Sequence, residues 1–205
     1  ENRCSFFDTL DDAVVKALEK DDYKAALAAE LGRLNVCSQK GMVETFDSTI
    51  GARSVLLPYG GTTQETPSIV MAAKLGEDTS DTASVAAFGF NPHLTENSPF
   101  VGSMYAVLTS VSKLAAAGVN RKDIYLSLQE FFKRLGGDPE RFGQPVSALL
   151  GAFEAQKGLG IAAIGGKDSM SGTFENIDVP PTLISFAIGT AKCADITDNV
   201  LRGSG

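Results

Sequence analysis

Short apolar segments alternate with longer amphipathic segments along most of the chain, and this alternation constrains the fold more than any other feature. The spacing of apolar residues predicts helices over 101–117 and 144–157. Apolar segments bounded by turn-forming residues predict strands at 53–57, 83–89, 123–128, 161–164 and 180–191. The order strand, helix, strand, helix, strand, strand indicates an α/β or α+β domain.

The first fifty residues have a different pattern. Apolar residues at helical spacing predict one helix over 8–31, with Asp8 or Thr9 as its capping residue. A second, short helix is expected over 38–46. We therefore expect a helical arm or linker over 1–52, a main domain over 53–195 and a tail over 196–205.

Charge and composition exclude several classes of partner. The 205 residues carry a net charge of −7, which argues against binding to nucleic acid or to an anionic membrane surface. Apolar stretches are far shorter than the ~20 residues that span a bilayer. Three widely spaced cysteines favour reduced thiols in a cytoplasmic protein. With a single histidine, His93, and no CxxC pair, we expect no zinc site.

The segment GGKDSMSG, residues 165–172, is the main candidate for ligand chemistry. It follows a predicted buried strand, where α/β proteins commonly place ligands. Paired glycines allow a phosphate to approach the backbone, Lys167 supplies charge, and the serine hydroxyls donate hydrogen bonds. The spacing is not that of a Walker A loop. A β-turn with a solvated lysine is the alternative that these residues leave open.

Three segments together resemble one family: LNVCSQKGMVETFDSTIGA, SPFVGSMYAVLTSVSKLAAAG and IGGKDSMSGTF. In order and spacing they resemble the second half of phosphoribosylformylglycinamidine synthase, from about Leu34 to Ala191. The resemblance implies a ferredoxin-like mixed sheet with helices on one face, as in the amino-terminal domain of aminoimidazole ribonucleotide synthetase. Two such domains in this family pair through their strands in a shared barrel.

The same resemblance implies an activity. The whole enzyme converts formylglycinamide ribonucleotide, ATP and glutamine-derived ammonia to the amidine, with Mg²⁺. The expected partners are the first synthetase-like half and the glutaminase domain, neither of which this chain contains. The chain alone is therefore expected to be inactive, and a homodimer is one way to cover its bare strands.

Site residues follow from the resemblance position by position. Gly166 matches a glycine that contacts ATP, and Ser169 matches a substrate contact. Lys167 stands where smaller family members carry a metal-binding asparagine, so it is a candidate for a phosphate or metal position. Asn91 matches an asparagine near the seam between domains and is a candidate substrate contact. No catalytic residue can be assigned.

Long family members have a second, auxiliary nucleotide site, and here the sequence departs from the pattern. Lys40 matches the nucleotide-contacting lysine of that site. Thr82 or Asp81, Thr109 and Lys113 stand where an Asp, a Glu and an Asn ligate the metal. Mg²⁺ requires oxygen ligands, and an ammonium group repels it. We expect a degenerate site that binds Mg-nucleotide weakly or not at all, with Lys113 replacing the charge of the cation.

Two other functions remain open. The chain could be a non-catalytic structural or interaction module in which GGKDS is only a turn. Aminoimidazole ribonucleotide synthetase itself is a third reading, but its acidic strand-end loop differs from GKDSMS.

Overall fold

A computed structural model describes residues 11–34, 36–46, 49–76 and 79–203. Contacts within the chain divide it into two compact units, Glu1–Asp47 and Ser48–Gly205. Each unit is described by itself below.

The described residues of the first unit form three short helices: α1 (Asp12–Leu18), α2 (Tyr23–Gly32) and α3 (Lys40–Val43). The prediction of one helix over 8–31 is therefore wrong, because a turn separates α1 from α2. Asp21 in this turn has a positive φ of 56°, and the Asp22 side chain accepts a hydrogen bond from the Ala25 N–H at 3.0 Å. The expected caps Asp8 and Thr9 lie outside the described residues. Asp11 caps α1 instead.

In the second unit, the residues that the structure describes form ten strands and three α-helices. The strands are β1 (Ser54–Leu56), β2 (Tyr59–Gly60), β3 (Thr66–Pro67), β4 (Met71–Lys74), β5 (Thr82–Gly89), β6 (Tyr125–Phe131), β7 (Ala163–Lys167), β8 (Thr173–Phe174), β9 (Ile177–Asp178) and β10 (Thr182–Lys192). The helices are α4 (Pro92–Asn97), α5 (Pro99–Ala116) and α6 (Pro139–Leu159).

Six of the strands form one mixed sheet in the order β1-β4-β5-β10-β6-β7. All neighbouring pairs are antiparallel except β6 and β7, which α6 connects as a crossover between parallel strands. Long helices and a mainly antiparallel mixed sheet confirm the expected fold class. β7 lies at the sheet edge, so the GGKD segment is at the border of the sheet.

The core lies between the central strands and α5. Residues on β5 and β10 alternate between buried and more exposed positions, and the buried ones face α5. Small residues allow close packing of the sheet against α5. A Cβ at Gly89 would overlap the backbone oxygen of Ala106 on α5. The buried hydroxyls of Ser110 and Ser185 are hydrogen-bonded at 2.9 Å, which satisfies both polar groups inside the core.

The opposite face of the sheet exposes large apolar side chains. In the pairing of the strands, Phe88, Ile188 and Tyr125 lie on the same face, and 43–55% of each residue is exposed. Met71 and Phe131 continue this surface on β4 and β6. We call these five residues the outer sheet face. Exposed apolar surface on one face of a sheet is typical of an interaction site.

Two predicted elements extend further than expected. The helix predicted over 144–157 starts at Pro139, because Asp138 caps it and a proline is favoured in the first turn. The strand predicted over 123–128 occupies 125–131. Among the described residues, no helix combines the length and the apolar character needed to cross a membrane.

Candidate functional site

The GGKDSMSG segment forms the end of β7 and the loop after it. Gly165, Gly166 and Lys167 are the last three residues of the strand, and all three are exposed. In the loop, the Ser169 and Ser171 hydroxyl oxygens are 2.7 Å apart in a hydrogen bond. Exposed glycine backbone, a lysine and two hydroxyls therefore lie within one short edge segment, a donor set that suits a phosphate.

Ser169 is held in place by the backbone of β6. The backbone N–H of Ser169 donates to the backbone oxygen of Glu130 at 3.1 Å. The backbone oxygen of Ser169 accepts from the Phe132 N–H at 2.9 Å. These two bonds continue the sheet pattern beyond the end of β7. The loop is thus anchored at Ser169, and the hydroxyl of this residue has a defined position.

Gly166 has a structural role that the sequence did not indicate. A Cβ at this position would overlap the backbone oxygen of Leu128 on β6. Gly165, one residue earlier, has no atom within 4 Å of such a Cβ. The glycine at 166 is therefore required by the close approach of two strands, whether or not a ligand also contacts it.

Glu130 is a further residue of this region that the sequence analysis missed. Only 6% of it is exposed, and its Oε1 has no hydrogen-bond partner within the described part of the chain. Burial, and then the nearby charge of Asp168, raises the pKa of the Glu130 carboxyl to about 7. Glu130 lies two residues beyond the strand predicted over 123–128, and nothing in the local sequence indicates that its side chain is buried beside the loop.

Glu130 lines a cavity of about 320 Å³ together with residues of the loop, β6 and α6. The other lining residues are Leu128, Leu149, Gly165, Gly166, Lys167 and Asp168. The candidate phosphate-binding segment thus borders a cavity with two carboxylic acids and two leucines in its wall.

Asn91 acts as the capping residue of α4. Its side-chain oxygen accepts hydrogen bonds from the N–H groups of His93 and Leu94 at 3.0 and 3.3 Å. The amide oxygen is thereby committed to the helix, as capping asparagines commonly are. The His93 side chain is exposed. The proposed substrate contact at Asn91 remains a prediction.

Lys40 begins α3 in the first unit, whereas all other candidate residues belong to the second unit. Its Nζ lies 3.7 Å from a carboxylate oxygen of Glu44, one helical turn later. This geometry does not test whether Lys40 contacts a nucleotide, and the contact remains a prediction.

The residues at the auxiliary metal positions lie at different ends of β5. Asp81 precedes the strand and pairs with Lys192, whose Nζ is 2.8 Å from the carboxylate. The hydrogen bond from Lys192 holds the pKa of Asp81 below its usual value. Lys113, on α5, instead contacts Phe88 near the other end of β5. The described residues contain no group of three or more acidic, histidine or cysteine side chains placed to hold a metal ion.

Lys113 makes two contacts with Phe88. Its Nζ donates to the Phe88 backbone oxygen at 2.9 Å and lies 4.7 Å from the centre of the ring. Partial burial lowers the pKa of this lysine. The ammonium group therefore occupies the position one turn beyond Thr109 and is held there by an oxygen and an aromatic face.

Solved structures with this fold define the class of the second unit. PurLQS from Thermotoga maritima has a TM-score of 0.65 over 79% of this chain, at 16% identity, covering 25% of that chain. The complexes of T. maritima PurL with ATP and with FGAR each have a TM-score of 0.62 at 17% identity. The ATP complex covers 81% of this chain and 25% of the PurL chain, and the FGAR complex covers 79% and 24%. The fold is that of the domains resembling aminoimidazole ribonucleotide synthetase, as expected.

Curated relatives identify the particular enzyme that the chain resembles. It is 27% identical over 80% of its length to the phosphoribosylformylglycinamidine synthase subunit PurL of Pyrobaculum calidifontis. Identity to the same subunit of Pyrobaculum aerophilum is 28% over 82%. The chain spans 22% of the length of both relatives. No protein-family model matches it. These similarities confirm the resemblance to phosphoribosylformylglycinamidine synthase.

Proposed function

We propose that this chain supplies nucleotide and substrate contacts to an enzyme that converts formylglycinamide ribonucleotide, ATP and glutamine-derived ammonia to the amidine. The observation that carries the proposal is the edge segment 165–171, in which exposed glycines, Lys167 and two serine hydroxyls lie together. Similarity to PurL, which has been solved with ATP and with FGAR, supports the same ligands here.

The residues of this segment have distinct roles in the proposal. Gly166 allows ATP to approach the strand, Ser169 contacts substrate from its anchored position, and the charge of Lys167 meets phosphate at a position that other members use for metal. Asn91 is the second substrate contact. The reacting groups come from the rest of a longer enzyme, so the chain alone does not catalyse the reaction.

Substitutions in the complete enzyme that carries this chain test the proposal. We expect Lys167→Ala and Ser169→Ala to lower ATP-dependent amidine formation while the melting temperature stays unchanged, because Lys167 is exposed and the half-buried Ser169 hydroxyl bonds the Ser171 hydroxyl of the same loop. Lys122→Ala, at an exposed position in the same unit, is the matched control. Unchanged activity in both loop variants would refute the proposed contacts.

The auxiliary nucleotide site is degenerate in this proposal. Support comes from Lys113, whose ammonium group already bonds the Phe88 oxygen, and from Asp81, which pairs with Lys192 rather than joining Thr109 and Lys113. These residues do not fit Mg²⁺, which prefers several oxygen ligands in near-octahedral geometry. Lys113 supplies positive charge in its place.

The outer sheet face is the proposed contact with a partner. Its apolar side chains, of which Phe88 also contacts Lys113, suit a second synthetase-like domain, in the same enzyme or in a second copy of this chain. Pairing of two such faces would bury the apolar residues that the second unit exposes. The glutaminase domain is a further expected partner in the complete enzyme.

A non-catalytic structural module is the second candidate function. It is favoured by one observation: Gly166 is required by the contact with Leu128 even without a ligand. In this reading, the loop variants lower the melting temperature or change nothing, and activity follows stability.

A further inference from the structure

The cavity beside Glu130 contains a buried acid that the fold itself does not neutralise. Its carboxyl oxygen Oε1 has no hydrogen-bond partner among the described residues, and only 6% of the residue is exposed. A buried acceptor without a hydrogen-bond donor destabilises the folded state. A donor that reaches this carboxyl group would remove that cost, so the site favours a ligand with N–H groups.

The charges around the cavity favour a cation. Its wall contains the acids Glu130 and Asp168 and one base, Lys167, so acids outnumber bases. Among the ion pairs of the described residues, none joins either acid to a base. A positively charged ligand group is therefore attracted, and its arrival would favour the ionised form of Glu130.

The remaining wall favours an organic cation over a metal ion. Leu128 on β6 and Leu149 on α6 line the cavity, and neither can coordinate a metal. Leucine side chains pack instead against an alkyl stem or the flat face of a guanidinium group. The volume of about 320 Å³ is sufficient for a group of this size.

We propose that the Glu130 cavity binds a guanidinium group on an apolar stem. The planar group pairs with the Glu130 carboxylate through two parallel N–H bonds, Asp168 adds attraction at the loop, and the stem contacts the leucines. Two sources share this chemistry: a free alkylguanidine, and an arginine side chain of a second copy of this chain. The proposal does not depend on the nucleotide contacts proposed above, although Gly166 and Lys167 border both sites.

Titration of the isotopically labelled chain with n-butylguanidinium, followed by NMR, tests the proposal. We expect saturable shifts of amides near Leu128, Glu130 and Gly166. Neutral n-butylurea has the same shape without the charge, and we expect it to bind at least about tenfold more weakly. Equal binding of the urea, or no saturable shift with the guanidinium, would overturn the proposal.

Variants locate the binding. Glu130→Gln should abolish the shifts, whereas Glu154→Gln, which removes an exposed carboxylate from α6, should leave them unchanged. If Glu130→Gln does not fold by circular dichroism, Asp168→Asn at an exposed position serves as the test, and we expect weaker binding. Equal loss in Glu154→Gln would show nonspecific attraction to acidic surface and would contradict a site at Glu130.

Sedimentation separates the two sources. If a second copy supplies the guanidinium group, the chain associates in a manner that Glu130→Gln and n-butylguanidinium both reverse. If the chain is monomeric and still binds n-butylguanidinium, the site takes a free ligand. Nucleotide binding is measured separately, so failure of this site and failure of the proposed function are distinguishable.

Discussion

Lys113 on α5 donates a hydrogen bond to the backbone oxygen of Phe88 at 2.9 Å, and its Nζ lies 4.7 Å from the centre of the Phe88 ring. The contact joins the helix to the end of β5. At this end of β5, Phe88 is paired with β10 in the sheet. It places a fixed positive charge at a position where the resemblance led us to expect a metal ligand.

Replacing Lys113 by Met should destabilise the second unit by about 1 kcal/mol, because both a charged hydrogen bond and a cation–π contact are lost. Lys192→Met is the control, since the Lys192–Asp81 pair is largely exposed and such pairs contribute little. The free energy of unfolding in urea measures both. Equal effects in the two variants would contradict a special role for Lys113.

Gly166→Ala should destabilise the chain by about 1–3 kcal/mol, because the added methyl group overlaps the Leu128 backbone oxygen and must push β7 from β6. Gly165→Ala, where the added methyl group meets open space, should change the melting temperature little. Thermal unfolding of both variants checks this. A stable Gly166→Ala would show that the glycine serves ligand binding alone.

Stability should depend on pH through Glu130. Its pKa rises on folding from 4.5 to about 7, so the folded chain binds a proton more tightly than the unfolded chain. This contribution is fully present below pH 4.5 and is lost as pH rises through about 7, by at most roughly 3 kcal/mol. Asp168 and Lys167 are the charged groups of the cavity that face it.

Glu130→Gln removes this titration. We expect the difference in unfolding free energy between wild type and the variant to change with pH between 4.5 and 7 and to be constant above that range. Urea denaturation at several pH values measures it, with Glu154→Gln as the control. A difference that is the same at every pH would disprove the raised pKa.

The outer sheet face should mediate association at high concentration. Ile188→Lys places a charge in the centre of this face and should shift the chain toward monomer in sedimentation experiments. Leu150→Lys changes an apolar residue on α6 that is exposed to a similar extent, and it should leave association unchanged. The opposite pattern would place the interface on α6.

Calorimetric titration with ADP and Mg²⁺ should detect no micromolar binding that depends on Lys40. The metal positions carry two threonines and a lysine in place of carboxylates and an amide, and Asp81 is paired with Lys192, so few oxygen ligands remain for Mg²⁺. Lys40→Ala is therefore expected to give the same titration as the wild type. Micromolar binding lost in this variant would show that the auxiliary site is intact.

Local patterns in the sequence predicted the two long helices, five of the six strands of the main sheet and the position of the loop, but not β4 or the short helix α4. The spacing of apolar residues predicted α5, and the apolar run before GGKDSMSG predicted β7. These features depend on neighbours along the chain, so periodicity and turn residues are sufficient to predict them. The same reasoning failed at Asp21, where one residue with positive φ divides a continuous helical pattern into two helices.

Only the tertiary structure decided which side chains meet. Glu130 is buried because β6 places it between the loop and α6, and a single glutamate in a strand carries no sign of that. Gly166 is required by Leu128, which lies 38 positions earlier in the chain. Lys113 reaches Phe88 because α5 packs back on β5. Such contacts depend on strand order and helix packing. These join residues that are far apart in the chain, so the pattern around any one residue does not reveal them.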